Sequence, residues 1–323
     1  MTTSFSSAIR KFVTLALVAA FVGIVPSLSA AVISLNNPVS NSLTPTALYW
    51  TYDSETAGSV ADGSGNGYDG VLTQGFNSPN SVNTPTLATG VNLPGTSGFG
   101  NAVSVIGKSS TPNYSTNQNP SVRYVPGSTA AYSMASGASF TGGTWLNMNT
   151  SQSVQPGGWL NLYLMSSGPA YSAVSPYWTL ALSRSPLLQW SIAFGVGSGT
   201  ATSNRSIPIA TVLDDTWHHL GFSFNGVNNQ VNFWVDGGNI GSVTLAHGIG
   251  APVNATERTF RVGERVDTNF QELSYTGRFD DTFVTSGIHT FAAVPEPSST
   301  ALMMGVAVLL AASFRRWSKS RSG

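Results

Sequence analysis

The chain has no cysteine in its 323 residues, which excludes disulfides, thiolate metal sites and cysteine nucleophiles. It is also poor in charge, with only 9% Asp, Glu, Lys and Arg. Its polar surface must therefore be built from Ser, Thr, Asn and Gly, and the 34 glycines suit short strands joined by tight turns. The formal net charge of zero hides an uneven distribution, because the bases gather at the two ends. From Val32 to Val294 there are 13 acids and 8 bases, so this stretch carries 8 − 13 = −5. It holds no basic run, which argues against a nucleic-acid partner, since phosphate binding needs clustered Lys and Arg. Outside the termini no segment longer than a turn has a helical apolar period, so the body is expected to be all-β.

The termini read as an address. Arg10 and Lys11 precede an apolar stretch from Phe12 to Val25 and then the small residues "PSLSAAV". This is the order of a secretory signal peptide over residues 1–31, with Ser29-Ala30-Ala31 as the cleavage site. At the other end "VPEP" leads into an apolar stretch over 301–314, followed by Arg315, Arg316, Lys319 and Arg321. The basic tail is expected to stay cytoplasmic, leaving the body outside. Residues 294–323 resemble the PEP-CTERM sorting signal of exopolysaccharide-producing bacteria. The resemblance implies an exosortase that recognises Pro295, Glu296 and Pro297, a transient hold in the inner membrane, and a body released to the envelope, surface or extracellular matrix.

Residues 32–46 are rich in Asn, Ser and Pro and read as a lead-in rather than a core element. The fold is expected to begin at Ala47, with "ALYW" and then the loop "DGSGNGYDG" from Asp62 to Gly70, whose glycines supply positive φ. Gln74 to Thr96 reads as an exposed excursion, and "NAVSVIG" and "SVRYV" as strands. "TWHHLGFSF", the turn "NGVNN" and "QVNFWV" have the form of a hairpin, which "DGGN" extends into "IGSVTL". "TFRVGER" and "GRFDDTFV" supply two more strands.

These landmarks, with "GTWLNM", resemble in order and spacing the LamG-like jelly-roll domain of the concanavalin A-like lectin and glucanase superfamily. The resemblance covers about residues 47–291 and implies a sandwich of two antiparallel sheets of six or seven strands each, with the first and last strands as neighbours.

Candidate chemistry is sparse. His218 and His219 are consecutive on a strand, so their side chains point to opposite faces and cannot share one metal. Retaining glucanases need two carboxylates about 5 Å apart, hence acids two or four residues apart on a strand, and the E-x-D-x-E pattern by which the resembled superfamily supplies them does not occur. Glu264 and Asp267 are three apart, and Glu257 and Glu272 have no partner at that spacing. No catalytic residue is therefore nominated, and the chain is read as not an enzyme. Asp62 and Asn66 in the glycine-rich loop, with Asp280 and Asp281 on the last long strand, offer hard oxygen ligands for Ca²⁺ if the ends of the domain pack together. The competing reading is that Asp62 and Asn66 only shape a turn. Sugar rings stack on aromatic faces, and Trp234, with Asn232 beside it, lies on the strand face opposite Val231, Phe233 and Val235. The expected function is a secreted or surface-sorted, non-catalytic lectin-like protein binding carbohydrate or matrix polysaccharide. The alternatives are a structural or protein-binding matrix component and, last, a glycoside hydrolase.

Overall fold

The computed structural model of the chain describes residues 32–35, 48–53, 58–73, 86–91, 93, 100–105, 121–124, 137–148, 160–169, 178–184, 190–198, 201–209, 212–249, 258–263 and 277–292. The signal peptide, Pro295, Glu296, Pro297, the apolar segment 301–314, Arg315 and Arg316 lie outside them. Among the described residues no helix is long and apolar enough to cross a membrane.

The described residues form eighteen strands. In chain order they are β1 (Val32–Ser34), β2 (Leu48–Trp50), β3 (Ser59–Val60), β4 (Gly70–Thr73), β5 (Thr86–Val91) and β6 (Gly100–Val105). Then come β7 (Ser121–Tyr124), β8 (Phe140–Met148), β9 (Leu160–Pro169), β10 (Trp178–Arg184), β11 (Trp190–Ser198) and β12 (Ala201–Pro208). The remainder are β13 (Trp217–Asn225), β14 (Gln230–Val235), β15 (Gly238–Thr244), β16 (Arg258–Val262), β17 (Gly277–Ser286) and β18 (Thr290–Ala292). They form two eight-stranded sheets and a separate two-stranded ribbon. The front sheet runs β15-β14-β13-β8-β17-β6-β5, with β2 also on β17, and the back sheet runs β12-β11-β10-β9-β16-β7-β4-β3. Each sheet is thus larger than the six or seven strands expected. All pairings within the two sheets are antiparallel, and the ribbon of β1 and β18 is parallel.

Alternation of side chains builds the core between the sheets. Leu220, Phe222 and Phe224 of β13 face Trp178, Phe194 and Phe260 of the back sheet, all fully buried. Phe140 sits among Trp178, Phe194, Phe222 and Phe224 at centroid separations of 5.3 to 6.1 Å, tilted or edge-on as the ring quadrupole prefers. The interior strand β8 carries two adjacent glycines because both of its faces are crowded. A Cβ on Gly142 would meet the Phe222 ring at 2.9 Å, and one on Gly143 the His219 ring at 2.7 Å.

The hairpin expected over Thr216–Val235 is β13 and β14, with Leu220 opposite Val235, and β15 follows as anticipated. Val231 and Phe233 point into the core, and a bulge between Phe233 and Trp234 shifts the β15 register. Two expectations are corrected. Thr86–Val91, read as part of an exposed excursion, is strand β5 paired with β6. Residues 32–35, read as a lead-in, contribute β1 and bury Ile33 and Leu35 to 0% and 2% exposure. The Thr, Ala and Gly of β5 carry little apolar signal, and the apolar "VISL" of β1 is masked by the Asn-, Ser- and Pro-rich stretch that follows it.

A second apolar layer explains why β1 is buried. The outward face of the front sheet bears Trp145, Trp234, Phe283 and Tyr49, and the ribbon lays Ile33, Leu35 and Phe291 over them. The molecule therefore has three layers at this side, and the front sheet is apolar on both faces.

Candidate functional site

The candidate calcium ligands sit where β17 changes neighbours. Its first half pairs with β6 and its second half with β2, and a bulge between Asp280 and Phe283 marks the exchange. Asp281 lies in that bulge at φ 43°, a left-handed conformation that Asp tolerates better than most residues. Asp280 and Asp281 are 4% and 9% exposed. Burial, reinforced for Asp280 by the charge of Asp281, pushes both carboxyls well above the ordinary carboxylate range. The Tyr49 hydroxyl donates to Asp281 Oδ1 at 2.6 Å, and the Asp281 N–H donates to Asp280 Oδ1 at 2.8 Å. The Tyr49 phenol is raised in turn, first by its own burial and then by the charge of Asp281.

Asp62 and Asn66 belong to a different structure. Asp62 Oδ1 accepts the N–H groups of Tyr49 and Ser64, and its Oδ2 accepts the Ser64 hydroxyl and the Tyr68 N–H. Both oxygens are committed to holding the glycine-rich loop closed, while exposed Asn66 donates to Ser64 Oγ at 3.1 Å. Tyr49 stands between, its backbone N–H on Asp62 and its hydroxyl on Asp281. The four expected ligands are therefore not brought round one point, and the turn-shaping reading of Asp62 is the one the geometry favours. Among the described residues no group of three or more His, Asp or Glu is placed to hold a metal.

At the start of β13, sequence reasoning overlooked a constellation. His218 Nδ1 lies 2.8 Å from Asp236 Oδ2, and its Nε2 lies 3.0 Å from Thr216 Oγ1 and 3.2 Å from Asp214 Oδ1. The hydroxyl, imidazole and carboxylate have triad spacing, but the protons are arranged differently from a triad. Thr216 Oγ1 also lies 2.7 Å from Asp214 Oδ1, to which its hydroxyl donates, so its proton points away from His218. Asp236 and Asp214 raise the imidazole pKa, the hydrogen bond to Asp236 contributing most, which favours the protonated form of His218 between the two acids. Asp214 is held low mainly by the Thr216 hydroxyl. Asp236 also accepts the His219 N–H at 2.8 Å, so the arrangement is a latch across the hairpin. The hairpin register places Asp236 beside His218, a signal that the sequence already contained.

The two histidines do point apart. His219 enters the second apolar layer, 1% exposed, edge-on to Trp145 at 5.4 Å and 5.2 Å from the Phe291 ring. Neither of its ring nitrogens has a hydrogen-bond partner, and burial depresses its pKa to about 3. His247 is exposed, and His289 Nε2 meets the Ser286 carbonyl at 2.8 Å.

Trp234 is corrected as a sugar platform. It is on the outward strand face, as expected, but only 4% exposed, with Phe291 of β18 at 5.1 Å over its ring. Asn232 is half-buried beside Ser223. The ribbon, whose covering role no strand pattern reveals, removes this aromatic face from solvent. Trp178 is core, while Glu55, Glu257, Glu264, Asp267 and Glu272 lie outside the described residues.

The back sheet offers the contrasting surface. Trp178, Leu180 and Leu182 of β10 and Ile192, Phe194 and Val196 of β11 face inward. Their alternates form cross-strand pairs Thr179 with Gly195, Ala181 with Ala193 and Ser183 with Ser191. This tile is uncharged and only partly open, with Ala181 6% exposed and Thr179, Ser183, Ser191, Ala193 and Gly195 half-buried, and the Ser183 and Ser191 hydroxyls are 2.7 Å apart.

No protein-family model and no curated protein sequence matches the chain. Solved structures do. The globular domain of T. cruzi calreticulin aligns at 8% identity and TM-score 0.46, covering 74% of this chain and 87% of that one. A heptameric SAP-like pentraxin from Limulus polyphemus aligns at 15% identity and TM-score 0.35, covering 57% and 75%. The CBM40 of the Ruminococcus gnavus IT-sialidase aligns at 9% identity and TM-score 0.36, covering 47% and 76%. At these scores the likeness carries no ligand, activity or partner to this chain.

Proposed function

We propose that the chain is an exported, non-catalytic lectin-like protein that lies against neutral polysaccharide of the extracellular matrix. Its address is the signal peptide and the exosortase motif Pro295-Glu296-Pro297 read from the sequence. The observation that carries the binding reading is the tile of β10 and β11, where small hydroxyl and glycine positions replace charge. A sugar chain presents hydroxyls and apolar ring faces together, and such a surface offers both hydrogen-bond partners and close approach. A body with net charge −5 favours neutral over acidic glycans. The non-catalytic reading is supported by the state of the visible acids, since Asp62 is saturated by donors and Asp214 and Asp236 are bridged by His218.

A calcium ion, which the hard oxygen ligands of the sequence suggest, would fall to Asp280 and Asp281 alone among the four expected ligands, because Asp62 and Asn66 are turned elsewhere. Its role there would be to relieve buried negative charge.

The test is binding of the full-length protein to a panel of neutral and acidic polysaccharides, with calcium and then with chelator, for the wild type and the Ser183→Ala/Ser191→Ala double variant. Saturable binding to a neutral glycan, weakened about tenfold in the double variant, is expected if roughly one hydrogen bond's worth of free energy is lost. Binding that is equal in both proteins removes the tile from the reading, and no binding to any glycan moves it to the structural matrix alternative.

A further inference from the structure

The ribbon is built from the two ends of the described chain, and its halves are held very differently. β18 follows β17 after only Gly287, Ile288 and His289, and that connection is pinned. The Gly287 N–H donates to the Ser139 carbonyl at 2.8 Å, Thr141 Oγ1 donates to the Gly287 carbonyl at 2.9 Å, and the His289 N–H donates to Thr141 Oγ1 at 3.0 Å. Phe291 then drops into a recess that exists because residue 221 is glycine. A Cβ there would stand 2.7 Å from the Phe291 ring.

β1 has none of this anchoring. It belongs to neither large sheet and pairs only with β18, Val32 opposite Thr290 and Ser34 opposite Ala292. Among the described residues the polar contact beyond that ladder is one hydrogen bond, from Trp145 Nε1 to the Leu35 carbonyl at 3.1 Å. A lone two-stranded ribbon is marginal in water, so β1 stays by burying Ile33 and Leu35. Twelve residues, 36–47, join it to β2. Fully extended, they reach about 40 Å, comparable with the width of a folded domain of this size.

We propose that β1 is an exchangeable strand: the slot between β18 and the outward face of the front sheet takes Val32–Leu35 from a second copy of this chain. The exchange breaks and forms the same ladder and the same burial, so its contacts balance, and concentration sets the outcome. When β1 leaves, the slot exposes Trp145, Phe283 and Phe291 to water, which favours refilling by the one segment already shaped for it. Reciprocal exchange closes a dimer, and head-to-tail exchange extends a chain of copies, which suits a protein held in a matrix.

The absence of cysteine makes the test clean. Full-length chains carrying Val32→Cys are mixed with differently tagged chains carrying Thr290→Cys and mildly oxidised. The expected result is a mixed disulfide at twice the chain mass, absent when Ser59→Cys replaces Val32→Cys and lost when Ile33→Asp is added to the Val32→Cys chain. A chain carrying both Val32→Cys and Thr290→Cys reports that the ribbon forms, by closing an internal disulfide. If that chain closes internally while the mixture gives no more mixed product than the Ser59→Cys control, β1 does not exchange and the proposal fails.

Discussion

The protonation state of a few buried side chains controls much of what can be measured. Asp280 and Asp281 have folded-state pKa values raised above those of the unfolded chain, so the unfolded state releases their protons first and stability falls as pH climbs. His218 has a raised pKa as well, and its stabilisation is complete below the unfolded value of about 6.5 and lost as pH rises through the folded value. His219, depressed to about 3, works the other way below about 6.5 and is silent above it. Above that point all the resolved shifts in this range act together, so urea stability should decline from pH 6.5 to 9. Asp280→Asn should flatten that decline and stabilise the protein at pH 8, and a steeper slope in the variant would sink this account. His218→Gln should remove a separate part of the pH dependence and lower the melting temperature modestly at pH 6, since both carboxylates it bridges are about half exposed. Paired acids at Asp280-Asp281 were legible in the sequence as a candidate site. Their separation from Asp62 was not, because the backbone and hydroxyl of Tyr49 decide it.

Among the elements, the strands with strong alternation were legible and those without it were not. β13 and β14 announce themselves by aromatic and aliphatic residues at every second position. β5 does not, and the short "VISL" of β1 is hidden by the Asn-, Ser- and Pro-rich stretch after it. Phe291 is the energetic centre of the ribbon, touching His219, Trp234 and Phe283 at 5.1 to 6.1 Å. Phe291→Ala should therefore cost about 3 kcal/mol in urea unfolding, the lower end for a buried phenylalanine because the second layer can partly collapse. It should also raise acrylamide quenching of tryptophan fluorescence, as Trp145 and Trp234 lose their cover. A stability loss without increased quenching would show that the ribbon stays seated by other contacts.

For the whole molecule, the two outer faces divide the work. The front sheet is apolar outside and closed by the chain's own ribbon, while the back sheet shows a neutral hydroxyl tile at β10 and β11. Glycan binding is therefore expected to survive Trp234→Phe and to weaken about tenfold in Ser183→Ala/Ser191→Ala, the reverse of what an aromatic platform would give. Sequence was sufficient for the all-β class, the absence of disulfides and the hairpin, because composition and period-two alternation are local properties. It could not say that the outward face of the front sheet is covered. That depended on three residues at each end of the described chain meeting in parallel over Trp145 and Trp234, a long-range pairing that buries Ile33, Leu35 and Phe291 and that no local pattern encodes.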